Sequence, residues 1–191
     1  MTDTTRTAEH LGAPTLTLRR VTAVLAGAVL VALGAQLSIP LPGTPVPVTF
    51  QVPAALVVGA LLGPGLGAAS LAAYLVLGAA GLPVFAPFGV PGFARLFGPT
   101  GGYLLALPLG AAIAGALARQ GRRWWQVGLG LVGGLAVIHL GGIAQLAILG
   151  GDLGVAWRVG SLPFLAGDLA KLIVAGLVVA RFRAPMHRAL R

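Results

Sequence analysis

The chain contains no cysteine and only four acidic residues among its 191 positions. Without cysteine there is no disulfide, no thiolate metal site and no cysteine nucleophile, and cysteine usage says nothing of the redox compartment. Charge of either sign is scarce: Asp, Glu, Lys and Arg make up 9% of the residues, against about a quarter in soluble domains. A chain that is 57% apolar, with a mean hydropathy of +0.95, cannot cover a water-facing surface of ordinary polarity. A bilayer is the solvent that suits it. The 30 glycines and 14 prolines follow no collagen period and form no polar low-complexity tract. Small residues in such number suit helices that pack closely in lipid.

Catalytic signatures are missing too. No G-x-x-x-x-G-K-[ST] is present to hold ATP, no H-E-x-x-H or similar cluster to hold a metal, and no nucleophile pairs convincingly with a base. Neither an enzyme nor a resident cofactor or metal is expected. The net charge of +9 would suggest nucleic acid in a soluble protein. Here the arginines stand in short segments between apolar runs, where they act as topology signals, so no nucleic-acid partner is expected.

The apolar runs predict an all-α integral membrane protein with six transmembrane helices, near residues 20–38, 50–63, 65–80, 99–118, 124–149 and 162–181. The second is short for a full span, and "LLGPGLG" at 61–67 is a tight break that makes a hairpin of the second and third. Residues 1–18 read as a flexible cytoplasmic tail, 19–182 as one membrane domain, and 183–191 as a basic cytoplasmic tail. The run after Arg19 and Arg20 is too long for a signal-peptide core and reads as a retained first helix. With both termini in the cytoplasm, ten arginines lie inside and only Arg95 and Arg158 outside, which satisfies the positive-inside rule for a multi-pass protein of the cell membrane. Trp124 and Trp125 then fall at the inner interface and Trp157 at the outer one.

The outer loops are 38–51, 81–97 and a stretch near 150–161. The first two are long, apolar and rich in Pro and Gly, and read as lids over an outward-facing pocket. Gly102, Ala106, Gly110, Ala114 and Ala118 recur every fourth residue along the fourth span, a small-residue stripe suited to internal packing. Ala28 and Ala32 form a shorter seam in the first span, whose partner is open at this level.

In "LPFLAGDLAKLIVAGLVVARFR", Asp168 and Lys171 stand on one helical face inside an apolar run. Insertion of such residues costs about 2.5–3.5 kcal/mol each at the helix centre. Two readings stand: a self-neutralising pair that assembles the bundle, or a pair that points into a cavity and addresses a polar ligand. Gln51, Arg95 and Tyr103 are further polar candidates. Arg95 either marks the interface or draws in an anionic ligand, and Tyr103, like Tyr74, is either packing or contact. His139 and Gln145, single polar residues in the fifth span, read as hydrogen-bonded packing residues.

"GAQLSIPLPGTPVPVTFQ", "GLPVF…LFGPTGGYLL" and "PFLAGDLAK", in that order, resemble the BioY family, the biotin-binding S components of energy-coupling factor transporters. The likeness runs from about residue 20 to 180. It implies a six-helix membrane fold whose outer loops close over biotin, and as partners a transmembrane coupling subunit and cytosolic ABC-type ATPases. It implies that Asp168 and Lys171 belong to the binding site, facing donors and acceptors of the ureido group. Phe50 and Phe85 would supply apolar wall and lid, Gln51 a polar contact, and Ala28 and Ala32 the docking seam for the coupling subunit. The loop "APFGVPGFAR" departs from the family's glycine-rich pattern, and His139 stands where a tyrosine is expected. The expected function is therefore biotin uptake. Two alternatives are a self-sufficient proton-coupled transporter, with Asp168 titrating alone or with His139, and a membrane scaffold held by the charged pair.

Overall fold

The computed structural model describes the backbone of residues 4–120 and 124–189, and the side chains of 17–118, 124–183, 185 and 186. Arg122, Arg123 and Arg191, counted above as inside charges, lie outside the described residues. The described elements are α1 (Thr4–Gln36), a small antiparallel hairpin of β1 (Ser38–Ile39) and β2 (Val48–Thr49), α2 (Gln51–Leu62), α3 (Pro64–Ala79), a 3-10 turn (Gly92–Phe97), α4 (Gly101–Gln120), α5 (Trp124–Gly150), α6 (Leu153–Gly160) and α7 (Leu165–Ala189).

Among the described residues, three helical stretches are each long and apolar enough to cross a membrane: Thr17–Gln36 within α1, Gly101–Ala118 within α4, and the whole of α5. Residues Leu153–Gly160 and Leu165–Arg183 pass together as a pair bent by 51°, which raises the number to four. α2 and α3, at 12 and 16 residues, are apolar but shorter. Two features differ from the sequence reading. The stretch near 150–161 contains a helix, α6, started by Asp152, whose side chain accepts from the Val155 N–H at 2.8 Å. Helical backbone also begins at Thr4, so the division points at 18 and 182 fall within α1 and α7.

The break between α2 and α3 is a single residue. Gly63, at φ +83°, turns the chain, and Pro64 starts α3 at a position where its missing N–H costs nothing. α2 forms the centre of the bundle: Ala55, Leu56 and Ala60 are fully buried, and the helix touches α1, α3, α4, α5 and α7.

The most extensive helix pair is α4 with α5. The stripe on α4 meets a matching stripe on α5, and the two backbones touch. A methyl group at Gly110 would stand 2.9 Å from the Gly134 carbonyl oxygen, and one at Gly141 2.7 Å from that of Gly102. With no cohesive water to expel in lipid, such close packing is what holds helices together.

Candidate ligand site

The break between α6 and α7 is gripped by three elements at three successive residues. Thr44, in the loop between β1 and β2, donates its hydroxyl to the Val159 carbonyl at 2.7 Å. Tyr103, on α4, donates to the Gly160 carbonyl. Ser161 Oγ lies 2.9 Å from Nδ1 of His139 on α5. Together these fix where α7 begins and so where Asp168 and Lys171 point.

His139 Nε2 in turn lies 2.9 Å from Asp168 Oδ2, and Lys171 Nζ donates to Asp168 Oδ1 at 3.2 Å. With the Ser161 hydroxyl donating to Nδ1, the imidazole offers its Nε2–H to the carboxylate. Asp168 is only 7% exposed, and each oxygen has a donor, which is what makes its burial tolerable. Lys171 uses one of its three N–H donors here, and Phe50 stands beside its ammonium, the ring centroid 5.9 Å away. The charged residues of the last span thus form a chain, Lys171–Asp168–His139–Ser161, and not an isolated pair. Sequence reasoning set His139 aside and missed Ser161, because the partners lie 29 and 22 positions from His139.

A cavity of about 60 Å³ opens beside this chain, between the loops at 38–51 and 81–97 and α2 and α4. Its walls are mostly apolar, with Val46, Val52, Phe85, Leu104 and Leu107, and its polar groups include Gln51, Arg95, Thr100 and Tyr103. Four of the candidates named from the sequence, Gln51, Phe85, Arg95 and Tyr103, therefore meet at one place. Asp168, Lys171 and Phe50 do not line it. They stand one layer away, joined to it through Tyr103, whose ring packs edge-on to His139 with centroids 6.2 Å apart. Phe50 itself is half exposed at the start of α2.

Arg95 is 5% exposed and donates through Nε to Thr100 Oγ1 at 3.0 Å. No carboxylate pairs with it among the described residues. Burial lowers its pKa from the ordinary value, with Tyr74 opposing, yet a guanidinium stays charged throughout the usual range. A buried cation with no counter-ion facing an apolar cavity suits an anionic end of a ligand.

Phe85 is held at the cavity by α3: its ring lies over Gly78, where any methyl group would overlap it, and meets Tyr74 edge-on at 5.4 Å. Two glutamines that the sequence gave no reason to place here, Gln36 and Gln145, bond backbone carbonyls of the loop that carries Phe85 and Arg95. On α1, Ala28 is 2% exposed in the core, and Ala32, half-buried, packs against the edge of the same cluster.

A model of the BioY family matches residues 5–188. The biotin transporter BioY of Thermotoga maritima is 42% identical over 155 residues, covering 81% of this chain and 89% of that protein. The probable biotin transporter BioY of Pyrococcus horikoshii is 41% identical over 154 residues, covering 81% and 90%. The crystal structure at 2.1 Å of the S-component for biotin from an ECF-type ABC transporter matches with a TM-score of 0.80 and 27% identity, over 88% of this chain and 92% of that one. A match along nearly the whole length, at these identities and with the same fold, establishes that the chain belongs to the BioY family.

Proposed function

We propose that this chain is the biotin-binding subunit of an uptake system: a multi-pass membrane protein that captures the vitamin and is energised by a coupling subunit and ABC-type ATPases on other chains. It is a transport component and not an enzyme. The observation that carries the reading is the likeness, along most of its length, to an S component for biotin.

The residues suit the ligand. Biotin has a ureido ring with two N–H donors and one acceptor, an apolar bicycle and chain, and a carboxylate tail. The apolar lining of the cavity suits the middle of that molecule, though the cavity must widen to hold it, and Arg95 suits its tail. Asp168 and Lys171 are assigned to the ureido ring, the carboxylate accepting from N–H and the ammonium donating to the oxygen, with Tyr103 and Gln51 between the two ends. Reaching Asp168 requires the Tyr103 layer to part, so the described arrangement corresponds to a closed site in which the chain's own groups satisfy one another. The two proline-rich outer loops are assigned as its lid.

The same reading places six passes in the cell membrane, with α6 and α7 as one bent pass, both termini in the cytoplasm and lipid around the exposed leucines and valines of α1 and α7. The terminal segments 1–18 and 183–191 are assigned to the cytoplasm, outside the ligand-binding part. Docking by the coupling subunit takes a narrower form than the Ala28–Ala32 seam: the partner meets α1 alongside it, at Ala32 and the exposed Val29 and Leu33.

The test is calorimetric titration of biotin into the purified chain in detergent, beside an Asp168→Asn variant of equal thermal stability. Tight binding that the variant loses supports the assignment. A well-folded parent that binds no biotin would sink the function. The contact between His139 and Asp168 favours a second reading, proton-driven uptake by this chain alone. That reading requires uptake in cells lacking the ATPases, abolished by an uncoupler.

A further inference from the structure

The outer loop between α3 and α4 carries Phe85 and Arg95 to the cavity, and both of its ends are held by glutamines from helices it does not belong to. At its start, Gln36, the last residue of α1, turns Nε2 onto the carbonyl oxygens of Pro83, Val84 and Phe85 at 3.3, 3.4 and 3.1 Å. At its end, Gln145 on α5 donates to the carbonyls of Leu96 and Gly98 at 3.0 and 2.7 Å. Two N–H donors there meet two acceptors, so the NH2 group is fully used.

The first residues of α4 make room for this second grip. A methyl group on Gly101 would stand 2.7 Å from Gln145 Nε2, and one on Gly102 would stand 2.7 Å from its Cβ. The glycine pair in "GPTGG" thus leaves space for a glutamine on another helix.

Phe85 sits at the first grip and Arg95 just inside the second. Between them the crown of the loop turns at Gly89 and Gly92, at φ +113° and +70°. Gly89 lies so close to the guanidinium that a methyl group there would stand 2.6 Å from Arg95 Nη1. The direction of both cavity-facing side chains is therefore set where the glutamines hold, and the crown lies between the two grips.

We propose that Gln36 and Gln145 are positioning residues for the ligand: they hold the two ends of the loop so that Phe85 and Arg95 close the cavity, and they govern how slowly the ligand leaves. The ligand in this statement is biotin, so it rests on the reading above. Entry takes place through the open loop, which needs neither grip. Departure requires the loop to open, and each grip resists that.

The experiment measures biotin association and dissociation for the parent, Gln36→Leu, Gln145→Leu and the isosteric Gln145→Glu, which has no N–H to donate. A nitroxide on a single cysteine, Val90→Cys, reports on the crown; the chain has no other cysteine to react. The expected result is dissociation about tenfold faster in the Gln145 variants and about threefold faster in Gln36→Leu, association within about twofold of the parent, and a more mobile label in the absence of biotin. Unchanged dissociation overturns the proposal, whether or not the label moves more. Should the Gln145 variants fail to fold, Gln36→Leu, at an exposed position, decides by the same readings. A parent that folds but binds no biotin fails the functional reading instead, and label mobility alone then decides whether the grips hold the loop.

Discussion

His139 Nε2 and Asp168 Oδ2 stand 2.9 Å apart, tying the middle of α5 to the first turns of α7. His139 is itself 9% exposed, so water does not readily replace it. Changing His139 to Phe removes the donor and leaves one carboxylate oxygen unpaired, at a cost of about 1–3 kcal/mol. The expected outcome is a lower unfolding temperature and at least tenfold weaker biotin binding, about 1.4 kcal/mol. His139→Gln, which keeps an N–H, should recover part of both. Thermal unfolding and calorimetry on the three proteins check this; equal loss in both variants would show that the hydrogen bond is not what matters.

Exchanging the charges within α7, Asp168→Lys with Lys171→Asp, keeps an i,i+3 pair but turns it round. The reversal also takes the acceptor away from His139, so a lower unfolding temperature is expected whichever role the pair has, and binding is compared below that temperature. There, biotin binding is expected to fall by at least 100-fold, about 2.7 kcal/mol. Retained affinity would return the pair to a purely assembling role.

Arg95→Met removes the cation from the cavity and should weaken biotin binding by about 10- to 100-fold, as the loss of a charge-assisted hydrogen bond does. Biotin amide, which has no carboxylate, should bind parent and variant alike. Arg95→Lys is expected to fall between, since it keeps the charge but not the fork that also bonds Thr100. Equal losses for biotin and its amide would argue against a tail contact.

Gly142 lies against the Tyr103 ring, and a methyl group there would overlap it. Gly142→Ala should displace the ring, break the Tyr103–Gly160 hydrogen bond and destabilise the fold by about 1–3 kcal/mol. Gly128, also on α5, has nothing within 4 Å of the same point, and Gly128→Ala should be neutral or slightly stabilising. Thermal unfolding of the two variants side by side is the check.

What the sequence disclosed and what it hid divide along physical lines. The turn at Gly63 was legible because Gly–Pro at a helix break is a local matter, and the α4 stripe because small residues every fourth position define a face. Gln51, Phe85, Arg95 and Tyr103 were singled out from loops and helix ends, and the fold gathers them at one cavity. α6 was taken for loop because eight residues carry too little pattern to separate from a turn, even with an Asp152 cap. Gln36 and Thr44 drew no attention, and Gln145, read as a hydrogen-bonded packing residue, drew no partner, because each bonds a distant backbone carbonyl and every residue has one. Ala28 has the composition of a docking seam, but composition does not say whether the surface it meets belongs to another chain or to its own.

The shortness of α3 bears on how the whole molecule sits in lipid. Its 16 residues rise about 24 Å, whereas the hydrocarbon core is about 30 Å thick. α5, with 27 residues, rises about 40 Å. On the proposed six-pass reading, the helical part of the apolar belt is therefore lower at α3 than at α5. On that reading a bilayer meeting the low flank must thin there, at a fraction of a kcal/mol for each ångström of mismatch, or the protein must lean to share the deficit. Uneven hydrophobic height of this kind makes one direction of tilt cheaper than the others.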